Sequence, residues 1–154
     1  MSAPELELYS HSDRLSPSDF ATLTETLHRA LPIILEVPGE VDSALGLATL
    51  PLVEISFVDD ATIAQVHADF LDDPTPTDVI TFQHGEILVS VDTAERVATN
   101  PEVAHSTLRE VTLYAIHGLL HLHGYDDVTE PGRAQMHARQ SVVLDRVLPS
   151  EPPS

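Results

Sequence analysis

The chain contains no cysteine, no lysine and no long hydrophobic run. Without cysteine there are no disulfides and no thiolate ligands, so any metal site must be built from His, Asp or Glu. The longest apolar stretches, such as Leu31 to Leu35, span a few residues, whereas a membrane-crossing helix needs about 20. Met1 to Arg14 is polar and acidic and lacks the basic start and apolar centre of a secretion signal. These absences point to a soluble, cytoplasmic protein with no membrane partner.

The missing lysine belongs to a wider imbalance. Asp and Glu number 25 against 7 basic residues, all arginine, for a formal charge of −18. At ordinary ionic strength such a surface repels itself and repels nucleic acid. Either the partner is not a polyanion, or the protein works in high salt. At about 1 M salt the screening length falls to roughly 3 Å and distant repulsion disappears. Acidic side chains also favour solubility more than basic ones. The lysine-free acidic composition favours the high-salt reading.

A length of 154 residues is that of one domain, large enough for a core without cross-links. We expect residues 1–148 to form that domain and residues 149–154 to be a disordered tail. Glu5 to Tyr9 alternates as a strand does. Ser16-Pro17-Ser18-Asp19 reads as a capped helix start, and Phe20, Leu23, Leu27 and Leu31 follow at helical spacing. Pro32 and Pro38-Gly39 read as the connection after it. Leu50 to Val58 reads as a buried strand, and Asp59-Asp60 caps a short helix with Ile63, Val66 and Phe70 inward. Asp72 to Thr77 is a loop by composition. Asp78 to Phe82 and Glu86 to Val91 form a hairpin around His84-Gly85, and a helix begins at Asp92. Asn100-Pro101-Glu102 reads as the start of the next helix, with Ala104, Leu108, Val111, Ala115, Leu119 and Leu122 recurring on one side. Gly124 ends it, and Gly132 to Val147 closes the chain as a helix. Strands and helices do not alternate strictly. The fold class is therefore α+β: a small mixed β-sheet packed by helices on one side.

His117 and His121 are four residues apart on that helix, so both imidazoles share one face and can share one metal ion. A third ligand has to come from beyond Gly124, where Asp126 or Asp127 can swing back. Two His and one carboxylate would leave Zn²⁺ an open position for water. A metal lowers the pKa of such a water from 15.7 to about 7. His123, two residues after His121, points to the other side and is the weaker candidate. A zinc protease would carry Glu directly after its first His as general base; here that residue is Gly118.

The run His117-Gly118-Leu119-Leu120-His121-Leu122-His123-Gly124-Tyr125-Asp126-Asp127 resembles the signature of the YbeY family of metal-dependent endoribonucleases. Pro76-Thr77-Asp78-Val79-Ile80-Thr81-Phe82 is similar to the family's Pro-Thr-Asp strand, Gly85-Glu86-Ile87 to its Gly-Asp-Ile strand, and Glu110 falls where the family has a Glu. The resemblance runs from residue 50 onward. It implies a helix carrying His-x3-His that binds one Zn²⁺ through His117, His121 and Asp127, with Glu110 and Asp126 as catalytic or supporting residues. Asp127 stands where the family commonly has His, an acid familiar from its Bacteroidetes-like branch. Leu71 stands where many members have an Arg suited to phosphate. Arg109 is the nearest substitute, set against a plain reading as a surface Arg paired with an acid. The activity implied is cleavage of single-stranded RNA in ribosomal RNA maturation, notably at the small-subunit RNA 3′ end, and in ribosome quality control. The partners implied are the ribosome or small-subunit assembly factors. A ribosome-associated binding factor with a structural metal is the alternative, and a zinc-protease-like hydrolase a more distant one.

The charge carries a first prediction. Thermal melts from about 0.1 to about 3 M KCl should show the melting temperature rising well past physiological salt, because screening removes self-repulsion. A flat or falling melting temperature would count against the high-salt reading.

Overall fold

The computed structural model describes residues 4–36, 47–71, 77–100, 106–125 and 129–148. Four strands form one sheet: β1 (Glu5–Ser10), β2 (Leu52–Val58), β3 (Val79–Phe82) and β4 (Glu86–Ser90), in the spatial order β1-β2-β4-β3. β1 runs parallel to β2 and β2 parallel to β4, while β3 pairs antiparallel with β4 across the hairpin. Gly85 closes that hairpin at φ 109°. A Cβ there would also sit 2.7 Å from the Leu52 carbonyl oxygen, so both conformation and space require glycine.

The described residues form five α-helices, α1 (Pro17–Leu35), α2 (Asp60–Leu71), α3 (Val91–Ala98), α4 (Thr107–Leu122) and α5 (Glu130–Val147); the first four pack on this sheet and α5 packs on α1 and α4. Strand alternation decides which face each residue serves. Val53, Ile55, Phe57, Ile87 and Val89 are buried in the main core with the apolar stripes of α1, α3, α4 and α5. Val58, Ile80 and Leu88 turn to the opposite face, where Ile63 and Val66 of α2 cover them. The mixed sheet packed by helices is thus the observed fold. Helices occupy both faces, because the central strands are apolar on both.

Several boundaries differ from the sequence reading for local reasons. Pro32 lies inside α1, which continues to Leu35. An interior proline costs a helix about 3 kcal/mol. Burial of Leu31 and Ile34 offsets that cost, and Arg139 of α5 donates to the Ile33 carbonyl at 2.7 Å. α4 starts not at Asn100 but after Ser106, whose hydroxyl accepts from the Arg109 amide. Asn100 is engaged elsewhere: its amide donates to the Val97 carbonyl, finishing the turn after α3. α5 likewise starts at Glu130, two residues before Gly132, capped by Thr129. Phe70 does not point inward; it is 69% exposed. Phe70, in the last turn of α2, meets only the Phe82 ring at the end of β3, edge to face, and stays largely open to solvent. Pro38-Gly39, Asp72 to Pro76 and the segment 149–154 lie outside the described residues.

α4 crosses the sheet at very short range. A Cβ on Gly118 would meet Ile87 Cγ2 at 2.8 Å and Thr81 Oγ1 at 3.2 Å. Gly118→Ala should therefore lower stability by about 1–3 kcal/mol, the usual effect of overpacking a filled site. Denaturant unfolding of both proteins measures it; an unchanged midpoint would mean that the helix can lift off the sheet freely.

Candidate metal centre

α4 carries Glu110, Tyr114, His117 and His121 at intervals of four, three and four residues. Those intervals put all four on a single stripe. The C-terminal pair comes together: the His117 and His121 rings are 5.6 Å apart between centroids and nearly perpendicular. Both line an open cleft of about 300 Å³, together with Thr77, Asp78, Val79, Ile80, Thr81 and Gln83 along β3 and His67 of α2. The cleft thus wraps the outer edge of the sheet, between the two helices that cover its faces.

One further side chain sets the chemistry of the pair. Gln140, buried on α5, has its amide oxygen 2.8 Å from His117 Nδ1. A carbonyl oxygen only accepts, so His117 Nδ1 carries the proton and donates. The lone pair is then on Nε2, the tautomer a metal-binding imidazole needs. Two imidazoles one turn apart, one of them held in the ligating tautomer at the wall of an open cleft, fit a divalent ion of the zinc type. Asp126 and Asp127 lie outside the described residues.

Glu110 and Tyr114 form a second, buried part of the stripe. Burial first, then a hydrogen bond to the Glu110 carboxylate, push the Tyr114 phenol well above its ordinary pKa, and the charge of Asp78 adds to the shift. Tyr114 therefore stays protonated and donates to Glu110. Glu110 is about 10 Å up the helix axis from His117 at 1.5 Å per residue, and it is not among the residues lining the cleft. Tyr114, which feels the charge of Asp78 in the cleft wall, lies between Glu110 and His117 on the stripe. Arg109 faces away: it donates to the Leu148 carbonyl at 3.0 Å and lies 3.5 Å from the Asp145 carboxylate. It is a paired structural arginine and not a phosphate contact. His123 caps α4, buried and stacked on Tyr125 at 6.4 Å. Gly118, in the place of the protease glutamate, faces Ile87 of the sheet, where no carboxylate would fit. Sequence reasoning missed His67 and Gln140. His67 has no partner at helical spacing to mark it, and Gln140 is distant in sequence and not titratable.

The fold and cleft define an α+β protein with a paired-histidine site at the edge of its sheet. A family description, "Endoribonuclease YbeY", matches residues 22–148. A Synechococcus protein named Endoribonuclease YbeY is 34% identical over 161 aligned residues, covering 94% of each chain. One of the same name from Moorella thermoacetica is 36% identical over 66% of this chain and 76% of its own. Another from Protochlamydia amoebophila is 45% identical over 51% of this chain and 58% of its own. The solution structure of a Thermotoga maritima protein has the same fold, with a TM-score of 0.62 at 20% identity, over 92% of this chain and 88% of that one. The chain belongs to the YbeY endoribonuclease family. Among the described residues no helix is long and apolar enough to cross a membrane.

The Gln140 contact is open to direct measurement. Ring nitrogen shifts should report His117 as the Nδ1–H tautomer in the wild type and as a mixture in Gln140→Leu. Identical shifts in the two proteins would mean that Gln140 does not set the proton.

Proposed function

We propose that the chain is a metal-dependent endoribonuclease that cuts single-stranded RNA during ribosomal RNA maturation, including the small-subunit 3′ end, and in ribosome quality control. Family membership supports the reaction class. The observation that carries the site assignment is the His117–His121 pair, oriented by Gln140 at an open cleft. His117, His121 and Asp127 would hold one Zn²⁺. When bound, such an ion supplies an acidified water and a Lewis acid for the phosphate oxygens.

The chain's own residues do the remaining work. Thr77, Asp78 and Thr81 form the wall facing the histidines and would position the ribose-phosphate strand along β3. Among the described lining residues, His67 and Asp78 are the titratable groups not assigned to the ion. His67 would transfer a proton at the reacting oxygens. Glu110 acts through Tyr114, holding that phenol in place behind Asp78, and is a positioning residue. Asp126 would orient Tyr125 or a ligating imidazole. The exposed cleft favours an open coordination position over a closed, structural one. Work on ribosomal RNA implies the cytoplasm, with the ribosome or small-subunit assembly factors as partners.

Purified protein, assayed at low and at high salt and with and without ribosomes, should cleave single-stranded RNA and spare duplex. His117→Ala, His121→Ala and Asp127→Ala should each lose metal and lose activity by orders of magnitude. Glu110→Gln should keep the metal and lose about tenfold, the scale of a second-layer contact. Full zinc retention in both His121→Ala and Asp127→Ala would refute the ligand set. Stoichiometric metal without cleavage under every condition would favour the binding-factor reading.

A further inference from the structure

The outer face of the β3–β4 hairpin carries a feature that the cleft chemistry does not use. Val66, Phe70, Phe82, His84, Glu86 and Leu88 line a second cavity of about 500 Å³. Its rings form a continuous series. Phe70 meets Phe82 edge to face at 5.5 Å, and Phe82 lies nearly parallel to His84, with centroids 5.7 Å apart. Phe70 is 69% exposed. The position is connected to the candidate metal centre in two ways. At the end of β3, Thr81 and Gln83 line the metal cleft, while Phe82 between them lines this one. On α2, Val66 lines this cavity and the next residue, His67, lines the other. An RNA strand leaving the first cleft around the end of β3 passes from Thr81 and Gln83 to Phe82 and so meets the second.

We propose that Phe70, Phe82 and His84 form a stacking site for an unpaired nucleobase of the RNA strand whose phosphate lies in the metal cleft. The proposal rests on the endoribonuclease reading for its ligand. Three observations select a base as the occupant. The site is continuous with the metal cleft, along one strand and one helix. Its surface is aromatic, and a base offers a π face to such a surface whatever its sequence. The one carboxylate among its lining residues, Glu86, lies 3.3 Å from His84 Nε2 and repels phosphate but not a base. Arg14, Arg29, Arg96, Arg109, Arg139 and Arg146 also bond to acceptors of this chain. Stacking on these rings supplies affinity for single strands that needs no free arginine.

The chain has no tryptophan, which permits a binding test independent of cleavage. The Phe70→Trp variant carries a single indole in the aromatic series, and the Tyr9→Trp variant carries one on β1, at the far edge of the sheet. The probe is a short oligoadenylate, with an abasic oligomer of the same backbone as control. The expected result is quenching of indole fluorescence in Phe70→Trp by oligoadenylate, with no response in Tyr9→Trp and none to the abasic strand. Binding should hold or strengthen from about 0.1 to 1 M KCl as the repulsion by the acidic surface is screened, whereas several phosphate contacts would lose orders of magnitude. Phe70→Ala, at an exposed position that does not threaten folding, should raise the KM for a single-stranded substrate roughly tenfold and leave kcat unchanged. Absence of quenching, or equal quenching by the abasic strand, would overturn the stacking site, as would an unchanged KM. Quenching without cleavage would leave the stacking site standing and count against the nuclease reading alone.

Discussion

The contact of α4 with the sheet at Gly118 governs the rest of this structure. Register across the strands places Ile55, Ile87 and Thr81 side by side, and the helix lies on that row with no Cβ between them. Closeness there has two consequences. It packs Ala115, Ile116, Leu119 and Leu122 into the main core. It also brings the neighbouring positions, His117 and His121, to the edge of β3, where residues 77–81 and Gln83 form the opposite wall of the cleft. A side chain at 118 would have to displace the Ile87 side chain, which is itself fully buried, or lift the helix. The same glycine that sets the packing therefore sets the distance between the histidines and the strand that faces them.

α5 completes the arrangement from behind. It supplies Gln140 to His117, and its arginines reach outward to neighbouring elements: Arg139 to the last turn of α1 and Arg146 to Glu36. The exposed bridge to Glu36, which lowers that carboxyl's pKa through its hydrogen bond to Arg146, contributes little by itself. The apolar seam of Met136, Val143, Leu144 and Val147 holds the helix in place. One buried amide then fixes a proton on one ring nitrogen. Its effect on the site depends on the packing of the whole helix, since a shift of about 1 Å would break the bond.

Much of this is legible in the sequence, and what is not has physical causes. The His pair, its helix, the hairpin and Ser16-Pro17 follow from spacing and caps, which are local. The start of α4 is ambiguous in sequence because Asn100-Pro101 and Ser106 are both plausible caps, and the choice depends on where α3 ends. Pro32 reads as a terminus because local chemistry counts the lost amide but not the contacts from α5. Phe70 reads as core because periodicity records which residues share a stripe, not how deeply each one is covered. His67 and Gln140 become visible only when α2, α4 and α5 are placed together. Glu110 is legible as a position, while its engagement with Tyr114 and its distance from the histidines are not.

The charge remains to be reconciled with an RNA substrate. The basic residues are largely committed within the chain: Arg14 to Asp92 and Glu95, Arg96 to Asp60, Arg146 to Glu36, Arg109 to Asp145. Arginines held in this way cannot line a groove that attracts phosphate from a distance, and in dilute buffer a charge of −18 would oppose the approach. High salt removes that repulsion and would equally remove attraction by any basic groove. What survives screening is contact at short range. A metal ion meeting a phosphate oxygen and a base meeting an aromatic ring both act within a few ångströms, well inside the screening length of ordinary buffer. An acidic enzyme with its arginines internally paired is therefore consistent with recognition that dispenses with electrostatic steering and relies on direct contact at the edge of one strand.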